Sequence, residues 1–472
     1  MRISRALLLL LVLVLVAGGI TWFAAGRATP PVLDIHSPLR VVGQKGTFEV
    51  SAEGPGGHFT TLDVIAEQDN RQYPLFALND PRQGSMRQES ADRVLVTGPF
   101  GRQAVPELHA GPVRIVATAT RRVLFGLRSV SATTARTIQV DLTAPLVQVL
   151  STKHYINQGG SEMVVYRVSP PTADSGVRVG NVEYPGFDAS GAGVPGNDPG
   201  LKVAFFALLY DQDPNAPMEV FARDEAGNEG TAEFDHQVFP KEFRHSKIQI
   251  TDAFLERVVP PIIQQTPSLG VTISGPKDLV PAFLKANGEL RRIDAEKIAS
   301  FAAQTSPRIL WDGPFVQLGN SAVESAFADF RTYIYDGKEI DHQVHLGYDL
   351  ASIANAPVKA ANAGKVLFAS YLGIYGNCII IDHGMGVQSL YGHLSSFAVK
   401  PGEMVQKGQL IGHSGETGMA GGDHLHFTML VDGHMVNPVE WWDPHWIADR
   451  ITRKLVAAGA PAGTLSGTPV GH

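Results

Sequence analysis

The chain has 472 residues, of which 44% are hydrophobic and 18% are charged, and its net charge is −7 at pH 7. This composition is typical of a globular protein and excludes a disordered chain, and the length predicts about three domains. The mild charge argues against nucleic acid or an anionic surface as a partner. Cys378 is the one cysteine of the sequence, which excludes an intramolecular disulfide and any cysteine-rich zinc site.

The N-terminus predicts a transmembrane anchor over residues 1–29. Arg2 and Arg5 precede an uncharged run over 6–26, and about 20 apolar residues are enough for a helix to cross a membrane. A signal peptide is the alternative, because the small residues Ala24 and Ala25 suit a cleavage site. The longer apolar run favours the anchor, so we expect a single-pass protein of the cytoplasmic membrane with its bulk outside the cytoplasm.

Two β-sandwich modules are predicted next, over residues 30–140 and 141–240. Their short alternating runs are bounded by Gly, Pro, Asn and Asp, a pattern typical of antiparallel sheets. Residues 220–229 resemble the closing hairpin of bacterial Ig-like domains, where Asp224 and Asn228 are turn residues rather than calcium ligands. Neither module contains a reactive cluster, so we interpret both as Ig-like spacers or as surfaces for a partner protein of the envelope.

Residues 241–308 are predicted to form a helical connector or cap. Residues 250–259 predict a short helix that Pro260 and Pro261 end, and residues 279–305 have helix-like periodicity. The position of this segment, directly before the next domain, motivates the hypothesis that it covers a cleft and holds an enzyme inactive. In that case residues 310–450 alone would be more active than the longer chain.

Residues 309–446 are predicted to form an antiparallel β domain, followed over 447–472 by a short helix and a disordered tail. Ten of the sixteen histidines lie after Glu339. Side chains alternate faces along a strand, so His424 and His426 point the same way, roughly 6–7 Å apart. His345 and Asp349 lie four residues apart with Gly347 between them, and a bend at that glycine would bring them together. With His393, these residues offer enough ligands for a zinc ion and leave two side chains for proton transfer.

The C-terminal motifs resemble those of the LytM/lysostaphin-type zinc peptidases, family M23. The resemblance covers residues 310–445 and rests on three ordered motifs: H-x-x-x-D at 345–349, Y-G-H-L at 391–394 and H-L-H-F at 424–427. It implies one Zn²⁺ per chain and an endopeptidase of the bacterial cell envelope that cleaves peptide cross-links or stems of peptidoglycan. The implied site residues are the zinc ligands His345, Asp349 and His426, the catalytic histidines His393 and His424, and a substrate contact at Asn377.

The alternative function is a non-catalytic module that binds or activates other cell-wall hydrolases, as in relatives that have lost their ligands. All five site residues are present here, which favours the enzyme. Asp423 and Thr428 depart from the family pattern next to the H-x-H motif without replacing a ligand. Trp441 and Trp442 are interpreted as packing residues rather than as a platform for glycan.

Overall fold

The computed structural model describes residues 2–25, 29–80, 84–123 and 126–467. The fold is mainly β, as predicted. The chain divides into two compact units, and each is considered by itself. The first comprises Met1–Pro145 with Arg223–Gly230, and the second comprises Leu146–Ala222 with Thr231–His472.

The N-terminal segment forms helix α1, Arg2–Ala25. No helix in the described ranges is long and apolar enough to cross a membrane. The predicted anchor over 1–29 and the single-pass location in the cytoplasmic membrane are therefore wrong. Residues 1 and 26–28 of that prediction lie outside the described residues.

Two sheets make a sandwich in the first unit, antiparallel except where Val41–Val42 pairs in parallel with Arg128–Val140. Along Thr61–Gln68 every second side chain is buried, as expected of a strand with one face in a core. The core includes Phe48, Val50, Leu62 and Val64. In spatial order the strands of the first sheet are Val32–Ser37, Thr47–Glu53, Arg93–Pro99 and Ser85–Gln88, and those of the second are Val41–Val42, Arg128–Val140, Gly111–Val123, Thr61–Gln68 and Arg71–Ala77. The turn Pro55–Gly57 is a 3₁₀ helix.

The hairpin at 223–230 completes this unit. The Asn228 side chain accepts a hydrogen bond from the Gln44 N–H at 2.9 Å and donates to the Asp141 carbonyl at 2.9 Å and to Asp224 at 3.0 Å. Its amide is thus used in fixing the turn, in line with the turn interpretation of these residues.

The second unit begins with another set of β-strands around a continuous core. One sheet contains, in order, Leu146–Val149, Ser161–Ser169, Leu201–Ala207 and Phe187–Asp188. A second sheet contains Val182–Pro185, Asp174–Val179, Met218–Arg223 and Glu229–Glu233. The strand His154–Asn157 pairs in parallel with His236–Phe239, and Ala189–Ala192 is a 3₁₀ turn. The same hydrophobic core continues into the C-terminal domain, where it includes Trp441, Val436 and Met429. Residues 146–222 therefore share one hydrophobic core with the C-terminal domain, and their role as a spacer or a partner surface stays a prediction.

An eight-stranded sheet forms the centre of the C-terminal domain. Its strands, in order, are Ala322–Ser325, Tyr348–Ala351, Leu425–Val431, Val387–Leu394, Gly376–Gly384, Gly364–Leu372 and Met404–Val405, with His434–Val436 paired to Leu425–Val431. Alternate residues of the apolar run at 378–381 enter different cores: Ile379 and Ile381 join the core shared with residues 146–222, whereas Cys378 and Ile380 join a second core. Both faces of this sheet are thus buried.

The second core is built by the predicted connector. Helices α2 (Asp252–Gln265), α3 (Leu279–Lys285) and α4 (Arg291–Ala299) pack against the sheet, joined by a π-helical turn at Ala286–Leu290 and followed by a 3₁₀ turn at Ser300–Gln304. Short 3₁₀ turns at Pro267–Leu269 and Pro276–Asp278 precede α3. The strand His245–Ile250 pairs in parallel with Asp329–Tyr335, which in turn pairs with Lys338–His345. The connector is therefore an integral part of this domain's core.

Helix α2 does not end at Pro260 and Pro261 as predicted. It begins after the cap residue Thr251, whose hydroxyl accepts from the Phe254 N–H at 3.2 Å, and continues through both prolines to Gln265. Proline removes a backbone hydrogen bond, but the side chains on either side of the pair are buried in the core and hold the helix together: Leu255, Val258, Val259, Ile262 and Ile263.

The remaining elements surround the C-terminal sheet. A three-stranded sheet contains Pro357–Lys359, Leu410–His413 and Ser396–Phe397, and Gly373–Tyr375 is a 3₁₀ turn. Two short helices that were not predicted, α5 (Val439–Trp442) and α6 (Pro444–Trp446), precede the predicted one. The short helix predicted after residue 446 is a π turn at Ile447–Thr452 followed by α7 (Arg453–Ala457). Residues 458–467, predicted as disordered, contact the domain: Ala460 is buried and the Gly467 N–H donates to Asp312 at 3.1 Å. Residues 468–472 lie outside the described residues.

Candidate metal centre and cleft

Three side chains from neighbouring strands meet at one end of the eight-stranded sheet. His345 is the last residue of Lys338–His345, Asp349 lies in Tyr348–Ala351, and His426 lies in Leu425–Val431 directly opposite Asp349. The break between the first two strands is the two-residue bend Leu346–Gly347, where the sequence predicted a bend, and His345 is the last residue of its strand.

Glycine is required at position 347 of this bend because there is no room for a side chain. A Cβ atom at that position would lie 2.5 Å from Cε1 and from Nε2 of His426. The missing side chain therefore lets the His426 imidazole reach the site.

The three ligand atoms lie close together. His345 Nε2 is 2.9 Å from Asp349 Oδ1 and 3.0 Å from His426 Nδ1, and His426 Nδ1 is 3.1 Å from Asp349 Oδ1. Donors bound to one zinc ion at about 2.0–2.2 Å in a tetrahedral arrangement are about 3.3 Å apart. In the described part of the chain these three residues form the cluster that could hold a metal ion, and two imidazoles with one carboxylate are a donor set that suits zinc.

Contacts outside the cluster orient its members. His345 Nδ1 lies 3.2 Å from both the Ser325 hydroxyl and the Ala326 carbonyl, so this nitrogen carries the proton and Nε2 offers its lone pair. The second carboxylate oxygen of Asp349 accepts from the Arg331 guanidinium at 3.0 Å. Arg331 also donates to Ser325 at 2.8 Å, and its Nε lies 3.6 Å from the buried Asp329. These residues form a polar layer behind the cluster.

The protonation states also suit metal ligands. Burial alone would raise the pKa of the Asp349 carboxyl, but the adjacent His345, His424 and His426 outweigh burial and hold it well below its usual range. Burial, with His345 and His424 nearby, lowers the pKa of His426 to about 4. At neutral pH the carboxylate is therefore ionised and the His426 imidazole is neutral, which are the forms that bind a metal ion.

Two further histidines stand beside the cluster. The rings of His393 and His424 are 4.8 Å apart, and His424 Nε2 is 3.5 Å from Asp349 Oδ1. His393 Nδ1 donates to the Thr417 carbonyl and His424 Nδ1 to the Gly422 carbonyl, each at 2.8 Å. His393 thus has the proton on Nδ1, which leaves its Nε2 as an acceptor. His424 Nε2 faces the Asp349 carboxylate, and although burial lowers the pKa of His424, the contact with Asp349 outweighs burial and raises it.

The backbone at His393 is unusual for a residue with a side chain. Its φ of 63° lies in the left-handed region, next to Gly392 in the turn that ends the strand Val387–Leu394. Conformations of this kind are strained and persist where surrounding contacts hold them. Here the Thr417 carbonyl binds the ring, so the turn and the imidazole are fixed together.

These five residues open onto a cleft of about 850 Å³, a size typical of clefts that bind small ligands. One wall comes from the C-terminal domain and includes Tyr375, whose ring lies 5.3 Å from that of His426 in an edge-on arrangement. The opposite wall comes from the connector and includes Gly288, Arg291, Arg292 and Ala295. The connector therefore lines the cleft without filling it.

Residues 343–438 match peptidase family M23. The chain carries an M23 peptidase domain. Over 97 residues the chain is 41% identical to the DD-carboxypeptidase/endopeptidase Mpg of Neisseria meningitidis, covering 21% of this chain and 22% of that protein. Over 177 residues it is 30% identical to the peptidoglycan DD-endopeptidase ShyA of Vibrio cholerae, covering 35% of this chain and 40% of that protein. The chain thus matches less than half the length of either relative.

Among solved structures, the chain is similar to the crystal structure of a peptidase M23 from Pseudomonas aeruginosa. The TM-score is 0.38 at 19% identity, with 61% of this chain and 94% of that chain covered.

The M23 domain brings together the five residues that the motifs singled out, but not Asn377. The Asn377 side chain does not line the described cleft, and its backbone N–H donates to the Thr417 hydroxyl at 2.9 Å. It therefore contacts the segment that holds His393. Its role in binding substrate stays a prediction.

Other polar residues of the M23 domain have structural partners. The buried His383 contacts the Ala363 carbonyl and the Ser389 hydroxyl, each at 2.7 Å. His342 lines the cleft but lies outside the cluster. Asp423, which departs from the family motif, accepts from the Asn355 N–H at 2.8 Å and from the Ser414 hydroxyl. It thus fixes the loop before His424.

The tryptophans after the M23 motifs are packing residues, as interpreted from the sequence. Trp441 is fully buried and its Nε1–H donates to the Ser161 hydroxyl at 3.1 Å. Trp442 stacks on Phe427, the core-facing neighbour of His426, with ring centres 5.6 Å apart. Both rings therefore support the strand that carries the H-x-H motif.

Proposed function

We propose that this chain is a zinc-dependent endopeptidase that hydrolyses peptide bonds of bacterial peptidoglycan. The observation that carries the proposal is the cluster of His345, Asp349 and His426, whose ligand atoms lie within 3.1 Å of one another beside two further histidines. The two relatives described above, named as enzymes of peptidoglycan or of DD-peptides, support the choice of substrate.

The three clustered residues would hold the zinc ion, which when bound acts as a Lewis acid and lowers the pKa of water towards about 7. His345 and His426 supply neutral nitrogens, and Asp349 supplies the one negative charge. Arg331 keeps the Asp349 carboxylate in place through its second oxygen. Since the cluster supplies three ligands, one position of a tetrahedral site remains for water and substrate.

His393 and His424 would move the proton. His424 Nε2 lies 3.5 Å from Asp349 Oδ1, where a proton on the ring is stabilised. His393 presents an unprotonated Nε2 on the side of the ring away from its backbone acceptor, as a general base requires. The same nitrogen, once protonated, can donate to the departing amine. The residues that alternate with the two histidines, Leu425 and Phe427, are buried in the core and hold the two imidazoles of the H-x-H on the cleft side.

The test is the release of peptides from purified sacculi by the full chain, with and without a chelator. We expect new amine ends that disappear with chelator and return when zinc is added. Asp349→Ala should lose both zinc and activity, while Glu339→Ala, which removes an exposed carboxylate outside the cluster, should retain both.

The two histidine variants separate metal binding from chemistry. His393→Ala and His424→Ala should retain zinc and lose at least about a hundredfold in turnover, the range expected for a general acid–base group. A chain that binds zinc and sacculi but releases no new amine ends would contradict the proposal and favour the non-catalytic module.

A further inference from the structure

One face of the connector's last helical stretch lines the cleft. The four cleft-lining residues of this stretch are Gly288, Arg291, Arg292 and Ala295, a spacing of three, four and seven residues that places them on one face of a helix. These residues lie outside the segment 343–438 that matches the M23 family. The connector therefore adds to the cleft a surface that the peptidase motifs do not specify.

Arg291 is held rigidly on this face. Its Nε donates to the Asn287 carbonyl at 3.1 Å and one Nη donates to the Asn287 side-chain oxygen at 2.7 Å. Asn287 is fully buried, and its amide nitrogen donates to Asp341 at 2.8 Å. The guanidinium is thus oriented by neutral partners, and its remaining N–H groups are still available.

No carboxylate in the described part of the chain forms an ion pair with Arg291. Its nearest acidic neighbour in the sequence, Glu289, pairs with Lys285 at 3.6 Å. Burial raises the pKa of Asp294 although the nearby Arg291 acts to lower it, and this buried carboxylate accepts from the Ile374 N–H at 2.8 Å. A half-buried guanidinium with fixed orientation and no ion-pair partner is well suited to bind a carboxylate from outside, because planar N–H groups match carboxylate geometry.

The other strong charges of the cleft are already engaged. Arg331 pairs with Asp349, and Arg292 pairs with Glu296 one turn along its own helix. Asp423 is bound by Ser414 and Asn355. Glu324 is an exposed carboxylate that lines the cleft, and it would repel the carboxylate of a ligand. The connector wall, which carries Arg291, is therefore the side of the cleft that attracts an anion.

We propose that Arg291 is a specificity-determining residue that binds a free carboxylate of the peptide substrate. The peptide stems of peptidoglycan carry such carboxylates beside the amide bonds that are cut. The inference rests on the proposed function and adds to it that substrates with a free carboxylate near the scissile bond are preferred over their carboxamides.

The test compares two synthetic cross-linked stem peptides that differ by one carboxylate or carboxamide, each cleaved by the full zinc-loaded chain. Arg291→Gln should raise KM for the carboxylate peptide about tenfold or more, with kcat little changed, because a charge-assisted hydrogen bond is lost. KM for the carboxamide peptide should change by less than about twofold. Arg292→Gln is the matched control, since it removes the same charge from the same helix face but from an exposed, paired side chain.

Zinc content and the unfolding transition of each variant show whether the fold is retained. Equal effects of Arg291→Gln on both peptides, or equal effects of the two arginine variants, would overturn the inference while leaving the proposed function intact. Failure of the unaltered chain to cleave either peptide or sacculi would instead overturn the proposed function, and the inference with it.

Discussion

Glu440 makes the stability of the second unit dependent on pH. Its carboxylate is buried and accepts hydrogen bonds from the Asn157 side chain and from the Ser161 N–H, each at 2.8 Å. Burial raises the pKa of Glu440 from the ordinary 4.5 to about 7, against the effect of these hydrogen bonds, and the nearby Glu162 raises it further.

The direction of the effect follows from proton binding. Between pH 4.5 and about 7 the folded chain holds a proton on Glu440 that the unfolded chain has lost, so the free energy of unfolding falls as pH rises. The contribution is fully present below pH 4.5 and is lost above about pH 7. A difference of about 2.5 pH units corresponds to ~3 kcal/mol, a large part of the stability of an ordinary domain.

Glu440→Gln isolates this contribution. Glutamine resembles the protonated acid and does not ionise. When the unfolding free energy of the variant is subtracted from that of the parent, the contributions of all other titrating groups therefore cancel. We expect that difference to change by about 2–3 kcal/mol in favour of the variant between about pH 4.5 and 7.5 and to be constant above that. Urea unfolding can be followed by tryptophan fluorescence, because four of the five tryptophans lie in the second unit: Trp311, Trp441, Trp442 and Trp446.

Parallel pH profiles of the two proteins would refute this reasoning, since they would mean that the Glu440 carboxylate ionises in the folded chain as easily as in the unfolded one. A profile with the opposite slope would mean that its hydrogen bonds and Lys454, which pairs with the neighbouring Glu162 at 2.8 Å, outweigh burial. Either result would place the charged form of Glu440 in the native structure at neutral pH.

Three further predictions concern the site and its support. Arg331→Met should weaken zinc binding about 10–100-fold, because Asp349 loses the donor that orients its second oxygen, and competition with a chromophoric chelator measures the change. Gly347→Ala should abolish zinc binding while the chain still folds, because the new Cβ would meet the His426 ring; Gly319→Ala, with open space around it, is the control. Residues 309–467 alone should aggregate or unfold and be less active than the full chain, contrary to the autoinhibition hypothesis, because the face that the connector covers would be exposed; a soluble, equally active fragment would show that the connector is dispensable.

The metal cluster could be predicted from the sequence because its members lie on short strands with simple geometry. Alternation along a strand places His424 and His426 on one side, and both contact Asp349 in the structure. The bend at Gly347 was predicted from the need to bring His345 and Asp349 together. The alternation of side chains along a strand and the three motifs indicate the same residues. The position of the cluster can therefore be predicted without knowing how distant parts of the chain pack.

The support of the cluster could not be predicted in this way. Arg331 contacts Asp349 from a strand that precedes the motifs. The sequence contains one weak signal of this contact, because Asp329 and Arg331 lie two residues apart on one face of that strand. Charged side chains that are buried on a strand face require partners of opposite charge. The prolines of α2 misled the prediction because tertiary packing outweighs the loss of backbone hydrogen bonds. Ile293 is 39% exposed although it is an apolar residue of the connector helix, and its neighbour Asp294 takes the inward position and binds the Ile374 N–H.

The two-sided burial of the central sheet explains how a site of this kind stays rigid while its cleft can vary. The ligands Asp349 and His426 are paired in neighbouring strands whose sheet is covered by one core on each face, so their separation is set by the sheet. One wall of the cleft comes from helix α4, which Asp294 fixes to the turn Gly373–Tyr375 between two strands of this sheet, and another face of this helix lines the cleft. Substitutions on that face alter what the cleft recognises without moving the metal ligands. Arg291 is therefore the place where we expect this chain to differ in specificity from peptidases that share its motifs.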